Sequence, residues 1–213
     1  MKTSVKPAGN NPPNQKSNGA ATDKREAILR SATRVFSQNG YFNSKVADIA
    51  REAGIADGTV YLYFKSKEEI LHSIFDRAME EFIAEGKKEI SGIEKADERL
   101  RRIAQLHLEK LGADRDMAIV FQVELRGSIK FMQEFSAAGF AEYLDIIQQT
   151  IVKGQKTGVF RKHLNPTLCS QILFGALAEM VTNWILSAKP YPLAPMADTV
   201  LEIFFSGINA QKK

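Results

Sequence analysis

The amino-acid sequence predicts an all-α protein in which a small N-terminal unit of three short helices precedes a larger helical domain. Apolar residues recur at helical spacing from Thr22 onward. Ser66, followed three residues later by Glu69, forms a capping box before a long amphipathic stretch. The one run typical of a β-strand, residues 59–64, would have no partner strand, so its main-chain groups would stay unpaired. These observations favour helices throughout.

The N-terminal domain is predicted to span residues 22–68. Ser44 is an expected N-cap, and the glycines at positions 40 and 54 are suited to end helices in a left-handed conformation. The predicted helices lie at about 23–38, 46–53 and 57–63, and a further helix starts near Lys67.

The larger domain is predicted to span residues 69–213, and the segment before both domains, residues 1–21, to be a disordered basic tail. The tail contains three prolines and no acidic residue, a composition that cannot bury enough apolar surface to fold. Beyond the helix that starts near Lys67, helical patterns occur at about 97–111, 115–126, 129–156, 166–187 and 197–209.

Positive charge is concentrated at the front of the chain. Residues 1–68 contain 11 Lys or Arg against 6 Asp or Glu, whereas residues 69–213 contain 18 against 19. This asymmetry favours a polyanion-binding first part and a neutral second part.

Several classes of protein are disfavoured by the sequence. The three histidines, His72, His107 and His163, do not form a metal pair at i, i+4, and neither a nucleophile elbow nor a phosphate-binding glycine loop occurs. The single cysteine cannot form an intramolecular disulfide or a cysteine cluster for zinc. No apolar run approaches the ~20 residues of a membrane span. We therefore expect a cytoplasmic protein that is not an enzyme, with no metal or cofactor and no membrane partner.

The spacing of Ala50, Gly54 and Val60 is typical of a helix-turn-helix. The small residue lets the second helix approach the first, the glycine permits the turn, and the branched residue fills the space between them. Val60 and Phe64, four residues apart, are expected to point inward. Thr59, Leu62 and Tyr63 are expected on the outer face, with Tyr61 at its edge.

Residues 24–72, which contain "YFNSKVADIAREAGIADGTVYLYFKSKEEI", resemble the DNA-binding domain of the TetR family of bacterial transcriptional regulators. The resemblance implies a homodimer whose two recognition helices enter the major groove of a palindromic double-stranded operator, about 34 Å or somewhat more apart. Matched to the family, the residues expected to face bases are Lys45, Asp57, Gly58, Thr59 and Leu62. Those expected on phosphates are Ser44, Tyr61, Tyr63 and Lys67. Packing alone is the alternative role of the two tyrosines.

Ala56 departs from the family pattern, because members commonly have a capping serine there. Loss of such a cap costs about 1 kcal/mol. Either Asp57 replaces the missing cap, or the first turn of the helix becomes fully ordered only on DNA. For the carboxylate of Asp57, two roles stay open: it accepts a hydrogen bond from a cytosine amino group, or it favours the helix N-terminus.

The stretches "DMAIVFQVELRGS" and "VTNWILSAKPYPL" resemble the FadR-type branch of the family, repressors of fatty-acid degradation. The resemblance implies release from DNA by a long-chain acyl-CoA whose acyl chain lies in an apolar tunnel. The expected ligand-binding residues are Phe121, Leu125, Arg126, Phe140, Tyr143, Leu144, Ile147 and Phe174. Arg126 would pair with a coenzyme A phosphate, or with Glu124 as an ordinary ion pair. A multidrug-like hydrophobic effector in the same apolar space is the alternative, and an architectural DNA binder without a ligand is a further one.

The last two predicted helices are expected to form the dimer interface. Small residues there permit close helix approach, and large apolar residues provide contact area, so two copies would close a four-helix bundle. The expected interface residues are Gly175, Ala178, Trp184, Phe204, Phe205 and Ile208. Core packing without dimerisation is the alternative role of these residues.

Overall fold

The computed structural model describes residues 15–124, 126, 133, 139–189 and 191–209, with side chains from Thr22 onward. These residues form nine α-helices and one π-helical segment. In chain order they are α1 (Gln15–Asn39), α2 (Val46–Glu52), α3 (Asp57–Val60), α4 (Lys67–Ile90), α5 (Ala96–Ala113), α6 (Arg115–Ile119), the π-helical segment (Val120–Glu124), α7 (Gly139–Lys156), α8 (Pro166–Leu186) and α9 (Met196–Ile208).

The prediction of an all-α fold is confirmed. Within the described residues, the β structure is a single antiparallel bridge between Phe160 and Asn209. Residues 59–64 are not a strand, and they continue the helical turn that begins at Asp57. Context therefore overrides the strand preference of β-branched and aromatic residues.

Helix α1 begins at Gln15 rather than at residue 23, so residues 15–21 of the predicted tail are helical. After Pro13 the sequence contains no proline until Pro166, and a helix nucleated on the buried face at Ile28 and Ala32 can therefore extend backward. The remainder of the predicted tail, residues 1–14, lies outside the described residues.

Three of the predicted helix-end signals in the N-terminal unit are confirmed. Gly40 and Gly54 have φ of 78° and 67°, the left-handed values that glycine adopts without steric cost. The Ser66 hydroxyl accepts a hydrogen bond from the Glu69 N–H at 3.1 Å, as the capping box predicts. The prediction that Ser44 caps α2 is wrong, because the N-cap residue is Lys45.

The predicted helix at 115–126 is divided in the structure. Helix α6 ends at Ile119, and the next five residues form the π-helical segment. A π turn holds more residues per turn than an α turn and is frequent at functional sites. Of the predicted helix at 129–156, the structure describes Gly139–Lys156 as helical.

The larger domain is built around α5, which packs against α4, α6, α7, α8 and α9. Helix α4 contacts both α1 of the N-terminal unit and α5 and α7 of the larger domain. One continuous helix, α4, therefore joins the two units.

By length and composition α8 could cross a membrane, with a mean hydropathy of 1.2. One side of this helix packs in the core, since Leu173, Leu177 and Val181 are fully buried against neighbouring helices.

Candidate nucleic-acid interface and ligand cavity

Helix α3 is held on the N-terminal unit by the inward side chains that the sequence predicted. Val60 and Phe64 are buried, and the guanidinium of Arg25 lies 4.9 Å from the centre of the Phe64 ring. Ala50 is fully buried, so α2 and α3 approach closely at this position. The outer face of the turn is positioned by these contacts.

The α-helical part of the candidate recognition element is a single turn, shorter than the predicted 57–63. Its N-cap residue is Ala56, which supplies no side-chain cap. Beyond Val60, the chain continues as a tight turn in which the N–H groups of Tyr63 and Phe64 donate to the Val60 carbonyl, both at 3.0 Å. The missing cap and the β-branched and aromatic residues explain why the regular helix is short.

The candidate base-reading residues lie on the accessible side of this element. Lys45, Asp57, Gly58 and Leu62 are exposed, and Leu62 retains 81% of its accessible surface. Thr59 is partly buried. An exposed leucine of this extent has no role in the core of this chain, and it is suited to apolar contact with a thymine methyl group.

The two tyrosines differ in their surroundings. Tyr61 is exposed, whereas Tyr63 is partly buried and packs against the core. Packing is therefore part of the role of Tyr63, while the Tyr61 ring is available to another molecule.

The structure contradicts the prediction that Ser44 contacts phosphate. Its side chain is buried, with 2% exposure, and its hydroxyl lies 2.7 Å from the Gly40 carbonyl oxygen. The main-chain N–H of Ser44 also donates a hydrogen bond to the Gly40 carbonyl oxygen. Ser44 therefore stabilises the turn between α1 and α2 rather than facing solvent.

Lys67 is also placed differently from the prediction. Its ammonium donates to the carbonyl oxygens of Tyr41 at 2.6 Å and Ser44 at 2.8 Å, and it lies 4.4 Å from the centre of the Tyr41 ring. Burial lowers the pKa of this ammonium. Lys67 thus ties the start of α4 to the α1–α2 turn, and its donors are engaged within the chain instead of facing a phosphate.

A cavity of about 490 Å³ lies inside the larger domain. Its volume falls within the ~300–1,000 Å³ typical of small-molecule sites. Residues of α4, α5, α6, the π-helical segment, α7 and α8 line it. The apolar and aromatic members are Phe75, Ala78, Met79, Phe82, Leu111, Met117, Phe121, Phe140, Tyr143 and Phe174.

Five of the predicted ligand residues line this cavity: Phe121, Arg126, Phe140, Tyr143 and Phe174. Ile147 is fully buried in the core and is not among the residues that line the cavity. Leu144 is partly buried and is likewise absent from the lining. Leu125 lies outside the described residues.

The sequence prediction missed the contribution of α4 and α5 to the cavity, including Phe75, Met79, Phe82 and His107. Their helical spacing predicted a buried face but could not distinguish a packed core from a cavity wall. Phe75 and Phe121 stack with ring centres 5.1 Å apart, so α4 and the π-helical segment meet at the wall.

One part of the cavity wall is polar. Tyr143 Oη lies 3.1 Å from His107 Nδ1, and Gln122 lies in the same lining. Burial lowers the pKa of His107 to about 4, so the ring is neutral at physiological pH, and burial raises the pKa of Tyr143. Neither His107 Nε2 nor Gln122 Oε1 has a hydrogen-bond partner among the described residues.

Charged residues of both signs surround the cavity. Lys110 and Arg126 supply positive charge, while Glu81, Glu85 and Asp114 supply negative charge. Lys110 pairs with Glu85 at 2.5 Å. Among the residues that the structure describes, the rim is therefore mixed in charge.

At least two routes connect the cavity with the N-terminal unit. Helix α4 starts at the Lys67 contact and contributes Phe75, Met79 and Phe82 to the cavity wall. In addition, the Glu124 carboxylate of the π-helical segment accepts a hydrogen bond from the Tyr41 N–H at 2.6 Å. A change in cavity shape can therefore reach the helix-turn-helix through direct contacts.

The predicted dimer residues divide into exposed and buried groups. Ala178, Phe205 and Ile208 are buried within this chain and cannot also contact a second copy. Trp184 is partly buried, and its indole N–H donates to the Tyr191 carbonyl at 2.9 Å. Phe204 is partly buried and packs against the core, whereas Gly175 is exposed. Ala178, Phe205 and Ile208 were misplaced because helical spacing does not specify which face meets the chain's own core.

A different apolar surface is exposed on these two helices. Leu168, Ile172 and Leu186 lie on the same side of α8 as Gly175, and Ile203 of α9 is 70% exposed. We call the five residues the α8–α9 face. An exposed apolar face on two adjacent helices is typical of a protein–protein contact.

Comparison with protein families gives two matches along the chain. The family described as bacterial regulatory proteins, tetR family, matches residues 28–74. The family described as YsiA-like protein, C-terminal region, matches residues 75–207. The boundary between the two matches falls inside α4.

Individual relatives agree with these matches. The fatty acid metabolism regulator protein of Bacillus subtilis is 37% identical over 182 residues, which are 85% of this chain and 94% of that protein. The crystal structure of FadR from Bacillus subtilis in complex with stearoyl-CoA is similar, with a TM-score of 0.81, 36% identity, and coverage of 86% of this chain and 99% of that chain. The fatty acid degradation regulator FadR from Bacillus halodurans has a TM-score of 0.82 and 33% identity, with coverage of 86% and 95%.

Proposed function

The chain belongs to the TetR family of bacterial transcriptional regulators, which are not enzymes, and we propose that it is a homodimeric repressor of fatty-acid degradation genes. In this proposal, a long-chain acyl-CoA fills the cavity and releases the protein from a palindromic operator. As a regulator that acts on DNA, it works in the cytoplasm.

The observation that carries the proposal is the aromatic cavity whose wall includes α4, the helix that starts at the helix-turn-helix. The relative that binds stearoyl-CoA shares the fold over most of both chains. Each buried methylene of an acyl chain contributes about 0.8 kcal/mol. A long chain therefore supplies enough binding energy to change a conformational equilibrium.

For the operator, we propose that Lys45, Asp57, Gly58, Thr59 and Leu62 face the major groove. Tyr61 is proposed to hold a phosphate with its exposed hydroxyl, and Tyr63 to contribute mainly by packing. Specificity then rests on a few side chains at the outer side of one helical turn, with phosphate contacts setting the register.

For the dimer, we propose that two copies of the α8–α9 face pack into a four-helix bundle. Their large apolar side chains, including Leu186 and Ile203, would otherwise remain in water. A two-fold interface of this kind holds two recognition elements in the symmetry of a palindrome.

Release from DNA requires the effector to prefer the conformation that cannot bind the operator. To change the ratio of the two conformations from 1:99 to 99:1, the effector must bind the conformation that cannot bind the operator about 5.5 kcal/mol more tightly than the other. Movement of α4 or of the π-helical segment would change the orientation of the recognition elements, because both contact the N-terminal unit.

The mixed charge of the rim favours a second candidate. Coenzyme A carries phosphates, yet Glu81, Glu85 and Asp114 lie beside Lys110 and Arg126. A hydrophobic effector without phosphates, such as an aromatic or multidrug-like molecule, needs no basic mouth. This candidate retains the same cavity and the same route to the helix-turn-helix.

Operator binding in the presence of ligand tests the two candidates. An operator duplex, selected from random DNA with the purified protein, is titrated with and without micromolar palmitoyl-CoA, free coenzyme A or a neutral aromatic ligand. The acyl-CoA proposal expects loss of affinity with palmitoyl-CoA alone. Equal effects of palmitoyl-CoA and free coenzyme A would contradict it. An effect of the aromatic ligand alone would favour the second candidate, and native mass spectrometry of protein purified from cells identifies a retained effector directly.

A further inference from the structure

The polar part of the cavity wall contains a buried donor and a buried acceptor that no other described residue satisfies. His107 is 6% exposed and Gln122 is 8% exposed, and both line the cavity. His107 Nε2 and Gln122 Oε1 are covered and have no partner among the described residues. Unsatisfied buried polar atoms are rare because each forfeits its hydrogen bonds with water. In a ligand cavity, a bound ligand can satisfy both atoms.

The contact with Tyr143 determines what His107 offers to a ligand. If the Tyr143 hydroxyl donates to Nδ1, at 3.1 Å, then the neutral ring carries its proton on Nε2. The reverse arrangement would leave the hydroxyl proton of Tyr143 without an acceptor in the described wall. The first arrangement therefore satisfies more groups, and it makes His107 Nε2–H a hydrogen-bond donor.

The polar groups lie about one helical turn from charged residues that also line the cavity. Lys110 follows His107 by three residues on α5, about one helical turn of ~5.4 Å away. Arg126 follows Gln122 by four residues, and both line the cavity. A ligand that places its hydrocarbon among Phe82, Phe140 and Phe174 would thus bring its polar end to these groups.

We propose that His107 donates a hydrogen bond from Nε2 to the thioester carbonyl oxygen of an acyl-CoA. Gln122 Oε1 accepts one from the pantetheine amide N–H, which follows the thioester sulfur by two methylenes. One ligand then satisfies both buried groups with functions that every acyl-CoA carries. This inference rests on the proposed acyl-CoA function and extends it, since it assigns the recognition of the thioester to named atoms.

Access to these atoms involves the aromatic rings around His107. Phe82 and Phe174 lie edge-on to its ring, with centres 6.1 and 6.0 Å away, and both side chains are only partly buried. A ligand that reaches Nε2 would have to displace one of these rings. Phe82 belongs to α4, so a ligand that moves it also acts on the helix that leads to the N-terminal unit.

A pair of ligands that differ in one oxygen tests the inference without any substitution. Palmitoyl-CoA and S-hexadecyl-CoA have the same chain length and the same coenzyme, but the thioether lacks the carbonyl oxygen. By calorimetric titration of the full chain, we expect the thioester to bind roughly ten-fold more tightly, the usual effect of leaving one buried donor unpaired. Equal dissociation constants would overturn the inference while leaving the acyl-CoA function intact. Failure of both ligands to bind would overturn the two together.

Substitutions identify the donor. His107→Leu is expected to bind both ligands with nearly equal affinity, because the group that distinguishes them is gone. Phe140→Leu, also in the cavity wall, is the matched control and should weaken both ligands while keeping their ratio. A ten-fold preference that persists in His107→Leu would overturn the assignment. Since His107→Leu leaves the Tyr143 hydroxyl unpaired, the double variant with Tyr143→Phe provides a second test if the single variant is unstable.

A third ligand distinguishes the thioester from another oxygen function. If 3-hydroxypalmitoyl-CoA bound ten-fold more tightly than palmitoyl-CoA, and His107→Leu removed that difference, the donor would recognise a hydroxyl group on the chain. That result would overturn the thioester assignment. Equal binding of the two thioesters supports it.

Discussion

The carboxylate of Glu124 accepts a hydrogen bond from the main-chain N–H of Tyr41 at 2.6 Å, although the two residues are 83 positions apart in the sequence. Glu124 ends the π-helical segment that supplies Phe121 and Gln122 to the cavity. Tyr41 follows Gly40 in the turn between α1 and α2. The bond therefore joins a cavity wall directly to the helix-turn-helix unit.

Removal of this bond is expected to uncouple the effector from the operator. In Glu124→Ala, palmitoyl-CoA should bind with unchanged affinity, but the ratio of operator affinities without and with effector should shrink by about ten-fold, as expected for a charge-assisted hydrogen bond. Fluorescence anisotropy of labelled operator measures both affinities. Glu98→Ala, which removes an exposed ion pair with Lys95, is the control. An unchanged ratio in Glu124→Ala would exclude this hydrogen bond as a carrier of the coupling.

Lys67 and Lys45 are expected to respond differently to removal of their charge. The Lys67 ammonium is engaged by main-chain carbonyls, whereas Lys45 is exposed. Because Lys45 is proposed to face the DNA, Lys45→Met removes one positive charge from the interface and should reduce the steepness of log K against log salt by about 0.9. Lys67→Met should lower thermal stability and operator affinity while keeping that steepness. A reduced steepness in Lys67→Met would restore the original assignment of Lys67 to phosphate.

Thr59 and Phe64 test the division of the recognition element into an outer and an inner side. Thr59→Ala should abolish the preference for operator over random DNA with little change in thermal stability, since the side chain is only partly buried. Phe64→Ala should destabilise the fold by about 3–5 kcal/mol, because its ring is buried. Competition binding and thermal unfolding measure the two effects. Retention of operator preference in Thr59→Ala would mean that the face assignment is wrong.

His107 predicts a pH dependence of stability with a definite sign. Its folded-state pKa is lowered to about 4 from an ordinary value of 6.5, so between these pH values the unfolded chain binds a proton that the folded chain does not. The free energy of unfolding is therefore not reduced by His107 above pH 6.5. As the pH falls from 6.5 toward 4, it decreases by about 1.4 kcal/mol per pH unit.

Urea unfolding of the parent and of His107→Leu across this range measures the effect. We expect a smaller loss of stability on acidification in His107→Leu than in the parent. His163→Gln, which keeps the buried histidine, is the matched control and should follow the parent. Identical pH profiles for the parent and His107→Leu would contradict burial of His107 as the cause.

The α8–α9 face predicts the effect of charge on oligomeric state. Ile203→Glu places a carboxylate on the 70% exposed side chain that we assign to the dimer interface. Sedimentation should find monomers, and affinity for a palindromic operator should fall because two half-sites are no longer bound together. Val123→Glu, at another exposed apolar residue, is the control and should leave the oligomeric state unchanged. A dimer in Ile203→Glu would exclude this surface as the interface.

Much of the fold follows from local signals in the sequence. The capping box at Ser66, the left-handed glycines and the four-residue spacing of Val60 and Phe64 each act within one or two helical turns. Such signals are readable because neighbouring residues on one helix have a known geometric relationship. The family motif adds the DNA-binding role of the same segment.

The predicted phosphate contacts of Ser44 and Lys67 were wrong because the roles of these residues depend on contacts that local signals do not reveal. Ser44 donates to the end of α1, and Lys67 reaches carbonyls 23 to 26 residues earlier in the chain. Both residue types also bind phosphate in many proteins, so composition and motif position do not distinguish the roles. The distinction depends on whether the chain itself offers acceptors at that place.

The all-α architecture, the helix-turn-helix and several aromatic residues of the cavity are predictable from the amino-acid sequence. The packing of the helices establishes that α4 and α5 complete the cavity, that His107 meets Tyr143 36 residues away, and that Ala178, Phe205 and Ile208 are buried within this chain. Successive residues of an α-helix are rotated by about 100°. A helical pattern therefore identifies an apolar face, but which helix that face meets depends on how the whole set of helices packs.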